Sequence, residues 1–142
     1  MFFMWYQKEI IIKNKNRGFH LITDEIIQNF TELNKISIGL LHLFIKHTSA
    51  SLTVNENCSQ NVRNDFETHF NNMVPEEPQY YTHLKEGPDD MPAHIKSSII
   101  GNTLIIPIKN GNLNLGTWQG IYLCEHRNNC DTRKIVLTLQ GD

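Results

Sequence analysis

Ile36-Ser37-Ile38-Gly39-Leu40-Leu41-His42-Leu43-Phe44-Ile45 is the longest strongly apolar run in the chain. A membrane span takes about 20 residues, so this run is too short to be one. Its length and its branched and aromatic content make it a buried strand. It leads into His47-Thr48-Ser49-Ala50, and the chain stays extended over 51–54.

Upstream, residues 5–12 read as a first strand and Gly18 as a bend. Thr23 is placed to cap a helix, with Asp24 and Glu25 in the first turn, where the helix dipole favours negative charge. Ile26, Ile27, Phe30 and Leu33 share one face of that helix. Downstream, Val62, Phe66, Phe70 and Met73 recur at helical spacing and predict a second helix over 59–73. The stretch 74–91 contains Pro75, Pro78, Gly87 and Pro88 and has no periodicity; a loop this long is usually functional or mobile. Pro92 suits the first turn of a short helix over 93–100, closed by Gly101. Strands follow at 103–108, 120–124 and 134–139, and Asn110-Gly111 marks a hairpin. The expected class is α+β: an antiparallel, β-sandwich-like core with two or three helices in one domain over 1–142.

Composition narrows the function classes. Thirteen Lys and Arg stand against fifteen Asp and Glu, without the basic stripe of a nucleic-acid binder. With 39% hydrophobic and 20% charged residues, the chain has the material for a packed core rather than a disordered tail. Neither a membrane partner nor a signal peptide is expected. Three cysteines without a C-x-x-C pair fit a reducing cytoplasm, with a Cys124–Cys130 bridge the one local pairing available.

Three places have the residue types for chemistry. His47 follows a strand end beside Thr48 and Ser49, and imidazole serves both as metal ligand and as acid–base; a plain strand-end hydrogen bond is the alternative. The long loop and its exit bring His83, Glu86, Asp89, Asp90 and His94 into one segment, either a cation site or a solvated acidic loop. In Leu115-Gly116-Thr117-Trp118-Gln119-Gly120-Ile121 the glycines suggest a bent strand approaching something closely, with Trp118 as core or as a stacking surface. Glu125 follows as a strand-end carboxylate or as a partner orienting a metal-bound histidine. Ser49 or Ser51 as nucleophile would need a base and oxyanion donors, and no G-x-S-x-G elbow is present.

His47-Thr48-Ser49-Ala50, Asn55-Glu56, Glu86-Gly87, Ala93-His94, Leu115 to Gln119 and Glu125 occur in that order. Together they resemble the YjbQ family, also called the secondary thiamine-phosphate synthase family, over about residues 5–141. Gly116-Thr117-Trp118-Gln119 and Pro92-Ala93-His94-Ile95-Lys96 are the most specific segments. The resemblance implies a small α+β fold with a sandwich-like core, a homotrimer, a histidine metal site and a weak ability to make thiamine phosphate as a side reaction. It places the metal ligands on His47, His83 and His94. It makes Asn55, Glu56, Glu86, Trp118, Gln119 and Glu125 family-typical positions. One segment departs: many relatives carry a Phe-Asp-Gly-Pro-Arg-like stretch where this chain reads His126-Arg127-Asn128, so His126 is a poor candidate for a shared ligand.

Three functions follow as expectations. The first is a metal-dependent transferase joining a pyrimidine diphosphate to a thiazole phosphate with release of pyrophosphate. A divalent ion, zinc first and magnesium or manganese next, would spread the developing charge. Glu56, Glu86 and Glu125 are then the acid–base candidates, Asn55, Trp118, Gln119 and Lys96 the substrate contacts, and Arg127 or Arg133 further phosphate partners. The second is a metal-dependent hydrolase of another small substrate, and the third a binding protein without catalysis.

Overall fold

The structure is a computed structural model that describes residues 3–129 and 131–142. Its elements in chain order are β1 (Met4–Ile12), β2 (Gly18–Leu21), α1 (Thr23–Asn29), a 3-10 turn (Thr31–Lys35), β3 (Ile38–Ile45), β4 (Ala50–Glu56), α2 (Gln60–Met73), α3 (Asp90–Ile100), β5 (Thr103–Lys109), β6 (Asn112–Leu113), β7 (Gln119–Glu125) and β8 (Arg133–Gly141). They form two antiparallel sheets, one ordered β1-β8-β3-β5-β6 and the other β2-β7-β4. The α+β expectation is met, with three helices.

The core is built from strand alternation. Ile10 and Ile12, Leu41, Leu43 and Ile45, Ile106 and Ile108, and Ile135, Leu137 and Leu139 point inward from the larger sheet. They meet Leu52, Ile121 and Leu123 of the smaller sheet and Ile26 and Phe30 of the α1 region. Burial of a side chain this size is worth about 1.5–3 kcal/mol, so this layer dominates stability. The far face of the smaller sheet carries Phe19, Tyr122 and Cys124, covered by Phe66 and Phe70 of α2 and Ile100 of α3. Burial pushes the Cys124 thiol up to about 12. A Cys124–Cys130 bridge, the one local pairing the sequence offers, involves residue 130 and so lies outside the described residues.

Several local expectations change. The run 36–45 is not buried on both sides: Ile38 is 73% exposed, and Leu40 and Phe44 also face outward. The chain is extended again in β4, as expected for 51–54, and there it belongs to the other sheet. Thr23 is the first residue of α1 and no cap; its Oγ1 accepts the Ile121 N–H at 2.9 Å. Ser59 does cap α2, accepting from the Asn61 N–H at 3.2 Å. Asn110 and Gly111 have φ of 51° and 75°, as a tight hairpin requires. Gly39 lets β3 and β8 approach closely, because a Cβ there would stand 2.2 Å from the Gln140 carbonyl oxygen.

Candidate metal centre

The helix α3 starts at Asp90, earlier than the sequence suggests, and Pro92 sits within its first turn, where a missing N–H costs nothing. Asp90 and His94 are therefore one turn apart on the same helix face. The 74–89 loop returns His83 to that face. His83 Nε2 lies 2.7 Å and His94 Nε2 lies 3.0 Å from the same oxygen, Asp90 Oδ2. The potential ligand atoms of His83, Asp90 and His94 all fall within 4.8 Å of one another.

A surrounding layer holds these groups. His94 Nδ1 donates to the Thr48 carbonyl at 2.9 Å, which fixes Nε2 as the nitrogen presented to the cluster. Arg127 Nη1 donates to Asp90 Oδ1, Nε to Asp89 Oδ2 at 2.9 Å, and Nη2 to the Glu86 carbonyl at 2.9 Å. Asp89 Oδ2 also accepts the Asn128 N–H at 2.9 Å. Both aspartates stay below the usual carboxylate range: burial would raise them, but hydrogen bonds and the charge of Arg127 outweigh it. This donor set fits a divalent cation. Two imidazole nitrogens and a carboxylate oxygen are ordinary zinc ligands.

His47 is not in this cluster. Its Nε2 accepts the Lys134 N–H at 2.8 Å, which corrects its place among the expected metal ligands. Burial, then the charge of Arg133, pushes its imidazole below the ordinary histidine value. His47 and His94 instead both line one cleft of about 500 Å³, with Thr48, Ser97, Ser98, Gly101 and Asn102.

The other expected site residues divide between two ends of the molecule. Asn55 and Glu56 end β4, opposite Gly120 and Gln119. That end is the length of β4 from the histidines, roughly 20 Å at about 3.4 Å per residue. Glu56 is committed there: its carboxylate accepts the Cys58 N–H at 3.0 Å and the Ser59 N–H at 3.0–3.1 Å, holding the start of α2. Asn55 Oδ1 accepts the Glu56 N–H, and Gln119 Oε1 accepts the Gly116 N–H, each at 2.8 Å. Trp118 is 64% exposed and is not core. What Gly120 brings close is the chain's own Leu21 and Asn57.

Two further expectations are corrected at the histidine end. Lys96 is only 1% exposed and gives its Nζ to Asn71 Oδ1 at 2.7 Å, so it cannot meet a substrate. Glu125 is fully buried and paired with Arg133, so it has no solvent route for acid–base work. Of the expected carboxylates, Glu86 alone is exposed beside the cluster. Asp90 stood among the loop's candidate groups, but the resemblance put His47 in its place beside His83 and His94. Its signal was the four-residue step to His94, hidden by starting the helix after Pro92.

A family model described as UPF0047 protein YjbQ-like matches residues 8–142. The chain belongs to the YjbQ family. Among YjbQ relatives, the UPF0047 protein YjbQ of Escherichia coli O157:H7 is 52% identical over 139 residues, covering 98% of this chain and all of the relative. The Salmonella typhimurium YjbQ is 55% identical over the same length. A solved YjbQ-family structure from Clostridium acetobutylicum, described as an uncharacterised conserved protein, is 34% identical with a TM-score of 0.79, covering 91% of this chain and 97% of its own. A protein of unknown function from Sulfolobus solfataricus shares the fold at a TM-score of 0.86 and 23% identity, over 99% of this chain and all of its own. Among the described residues, no helix is long and apolar enough to cross a membrane.

Proposed function

We propose that this YjbQ-family protein is a metal-dependent enzyme acting on a small molecule. His83, Asp90 and His94 hold a divalent cation, zinc before magnesium or manganese. The reading rests on one observation: two imidazole nitrogens converge on a single carboxylate oxygen, with the His94 tautomer set by Thr48. Such a cation supplies charge stabilisation to a departing oxyanion, or acidifies a bound water. The chain's own residues do the rest. Arg127 keeps Asp90 ionised and aimed, and the cleft between His47 and His94 gives a substrate polar walls of hydroxyl and amide groups. Exposed Glu86 is the carboxylate placed to exchange protons with solvent.

Thiamine-phosphate formation, implied by the resemblance, is the transferase form of this proposal. The hydrolase form is favoured by a separate observation. The three cations expected to meet phosphate are all engaged internally: Lys96 by Asn71, Arg127 by Asp89 and Asp90, and Arg133 by Glu125. A diphosphate substrate would find no ready cationic partner among them, whereas an uncharged ester, amide or lactone needs none. The setting we propose for either form is the cytoplasm.

Elemental analysis of untagged protein tests the proposal. About one divalent ion per chain is expected, falling to near zero in His94→Ala and in Asp90→Asn, with turnover lost in parallel. Assays on the two phosphorylated precursors and on neutral esters, amides and lactones separate the two forms. A wild type that holds no metal and takes up none on soaking overturns both.

We also propose that the outer face of the larger sheet joins copies into a trimer. Trp5 and Ile105 are 64% and 62% exposed, and with Leu40, His42, Thr138 and Gln140 they line a shallow depression of about 270 Å³ that has no charged residue. A depression lined by exposed apolar side chains, with no Lys, Arg, Asp or Glu, suits contact with another copy of the chain. Ile105→Glu should shift the sedimenting species from three chains to one. A wild type that sediments as a monomer counts against the assembly.

A further inference from the structure

A second cleft, of about 420 Å³, opens between α2 and the segment from Lys15 to Leu21. It shares no residue with the metal centre. Most charges around it are already matched. Arg17 donates from Nε to Glu67 at 3.1 Å, from Nη1 to Glu76 at 2.7 Å and Asn128 at 3.3 Å, and from Nη2 to Asn71 at 2.6 Å. Lys15 donates to Glu25 at 2.6 Å. Glu67 spends Oε1 on Arg17 and Asn71.

Arg63 differs. It borders the same cleft, its Nε is buried, and that N–H has no hydrogen-bond partner among the described residues. No carboxylate among the described residues pairs with its guanidinium, although Glu67 is only one helical turn away. Leaving a buried donor unmade costs about 1–3 kcal/mol, and more for a charged group. Gln60 and Asn64 flank it on the same helix face. Gln60 Nε2 donates to Asn64 Oδ1 at 3.0 Å, which orients the Asn64 amide and leaves its N–H groups for another acceptor. The start of α2 is already served by Glu56 and Ser59, so backbone amides there are not the recognising element.

We propose that this cleft is a binding site for a small oxyanion, the carboxylate or phosphate group of a metabolite, recognised by Arg63 with Asn64 as second donor. A guanidinium presents a planar fork of N–H groups that matches two oxygens of such a group at once. Among the described residues Arg63 is the arginine of this cleft with no carboxylate partner, and one guanidinium suits a single anionic group. The site is independent of the proposed metal chemistry, and its failure would leave that proposal standing.

Calorimetric titration of the protein as purified with inorganic phosphate, and separately with acetate, tests this. One saturable site per chain is expected for at least one of the two anions. Phosphate alone points to a phosphorylated ligand, and acetate binding to a carboxylate. Arg63→Gln should weaken binding about tenfold or more. Gln60→Glu should do the same while folding normally, because it adds a negative charge to the first turn of α2, where the dipole favours it, one turn from Arg63. His94→Ala should leave binding intact. No saturable binding by the wild type, wild-type binding in both cleft variants, or loss of binding in His94→Ala overturns the proposal.

Discussion

Arg133→Met should destabilise the protein by about 3–5 kcal/mol, the usual cost of stranding one half of a buried ion pair. Arg133 Nε reaches Glu125 Oε1 at 2.7 Å and Nη2 reaches Oε2 at 2.5 Å, a two-pronged contact with almost no solvent on either side. Without the guanidinium, Glu125 keeps, among the described residues, the Arg127 N–H at 3.1 Å. Glu125→Gln should cost a similar amount, by leaving Arg133 with a neutral partner. Removing both charges as Glu125→Met with Arg133→Met should cost much less than the two single changes together, since neither charge is then stranded. Urea unfolding of the four proteins measures this coupling. Additive losses would mean that the pair is not a unit. The pair also reaches the His83, Asp90 and His94 cluster. Arg133 Nη2 donates to Ser49 Oγ at 3.1 Å and lies 3.4 Å from its carbonyl, steadying the turn whose Thr48 carbonyl sets the His94 tautomer. On the proposed metal reading, the variants should also hold the cation more weakly even where they remain folded.

The strands were legible wherever one face is wet. Residues 134–139 and 103–108 alternate, and the structure pairs both with β3. The run 36–45 misled because both of its faces are apolar: Leu41, Leu43 and Ile45 enter the core while Ile38, Leu40 and Phe44 face out, and periodicity cannot separate them. β2 was missed because Gly18-Phe19-His20-Leu21 is too short to show a period, and its evidence is the pairing with Tyr122 to Glu125. At the site, the residue types of the loop were readable and the partners were not. Placing Pro92 at the helix start separated Asp90 from His94 by a boundary that does not exist. His47 looked like a ligand from its own neighbourhood, and only the fold brings the Lys134 amide to its Nε2. Glu56 and Glu125 had the right chemistry for catalysis, but one holds a helix start and the other a buried arginine, and such commitments are made across the fold.

Acid should unfold this protein earlier than its carboxylates alone require, because of His126. The ring is buried between the smaller sheet and its covering helices, edge-on to Phe19 at 6.2 Å, with Nε2 2.8 Å from Ser51 Oγ. Burial is the main cause that pushes its pKa down to about 3, and the charges of Lys96, Arg133 and Arg17 push the same way. The unfolded chain takes up this proton near the ordinary histidine value of about 6.5, so below that pH the unfolded state binds more protons than the folded one. Stability from this residue is therefore complete above pH 6.5 and is lost as pH falls toward 3. The loss is roughly 3 kcal/mol by pH 4.5 and about 4 kcal/mol by pH 3. His126→Gln removes the titration. It should cost about 1–2 kcal/mol at pH 7, through the altered bond to Ser51. Between pH 6.5 and 4.5 it should lose roughly 3 kcal/mol less than the wild type. Urea midpoints measured across that range would show the two curves converging or crossing as pH falls. Curves that stay parallel would mean that His126 takes up its proton in the folded protein as readily as in the unfolded one, against the burial and the neighbouring charges of Lys96, Arg133 and Arg17.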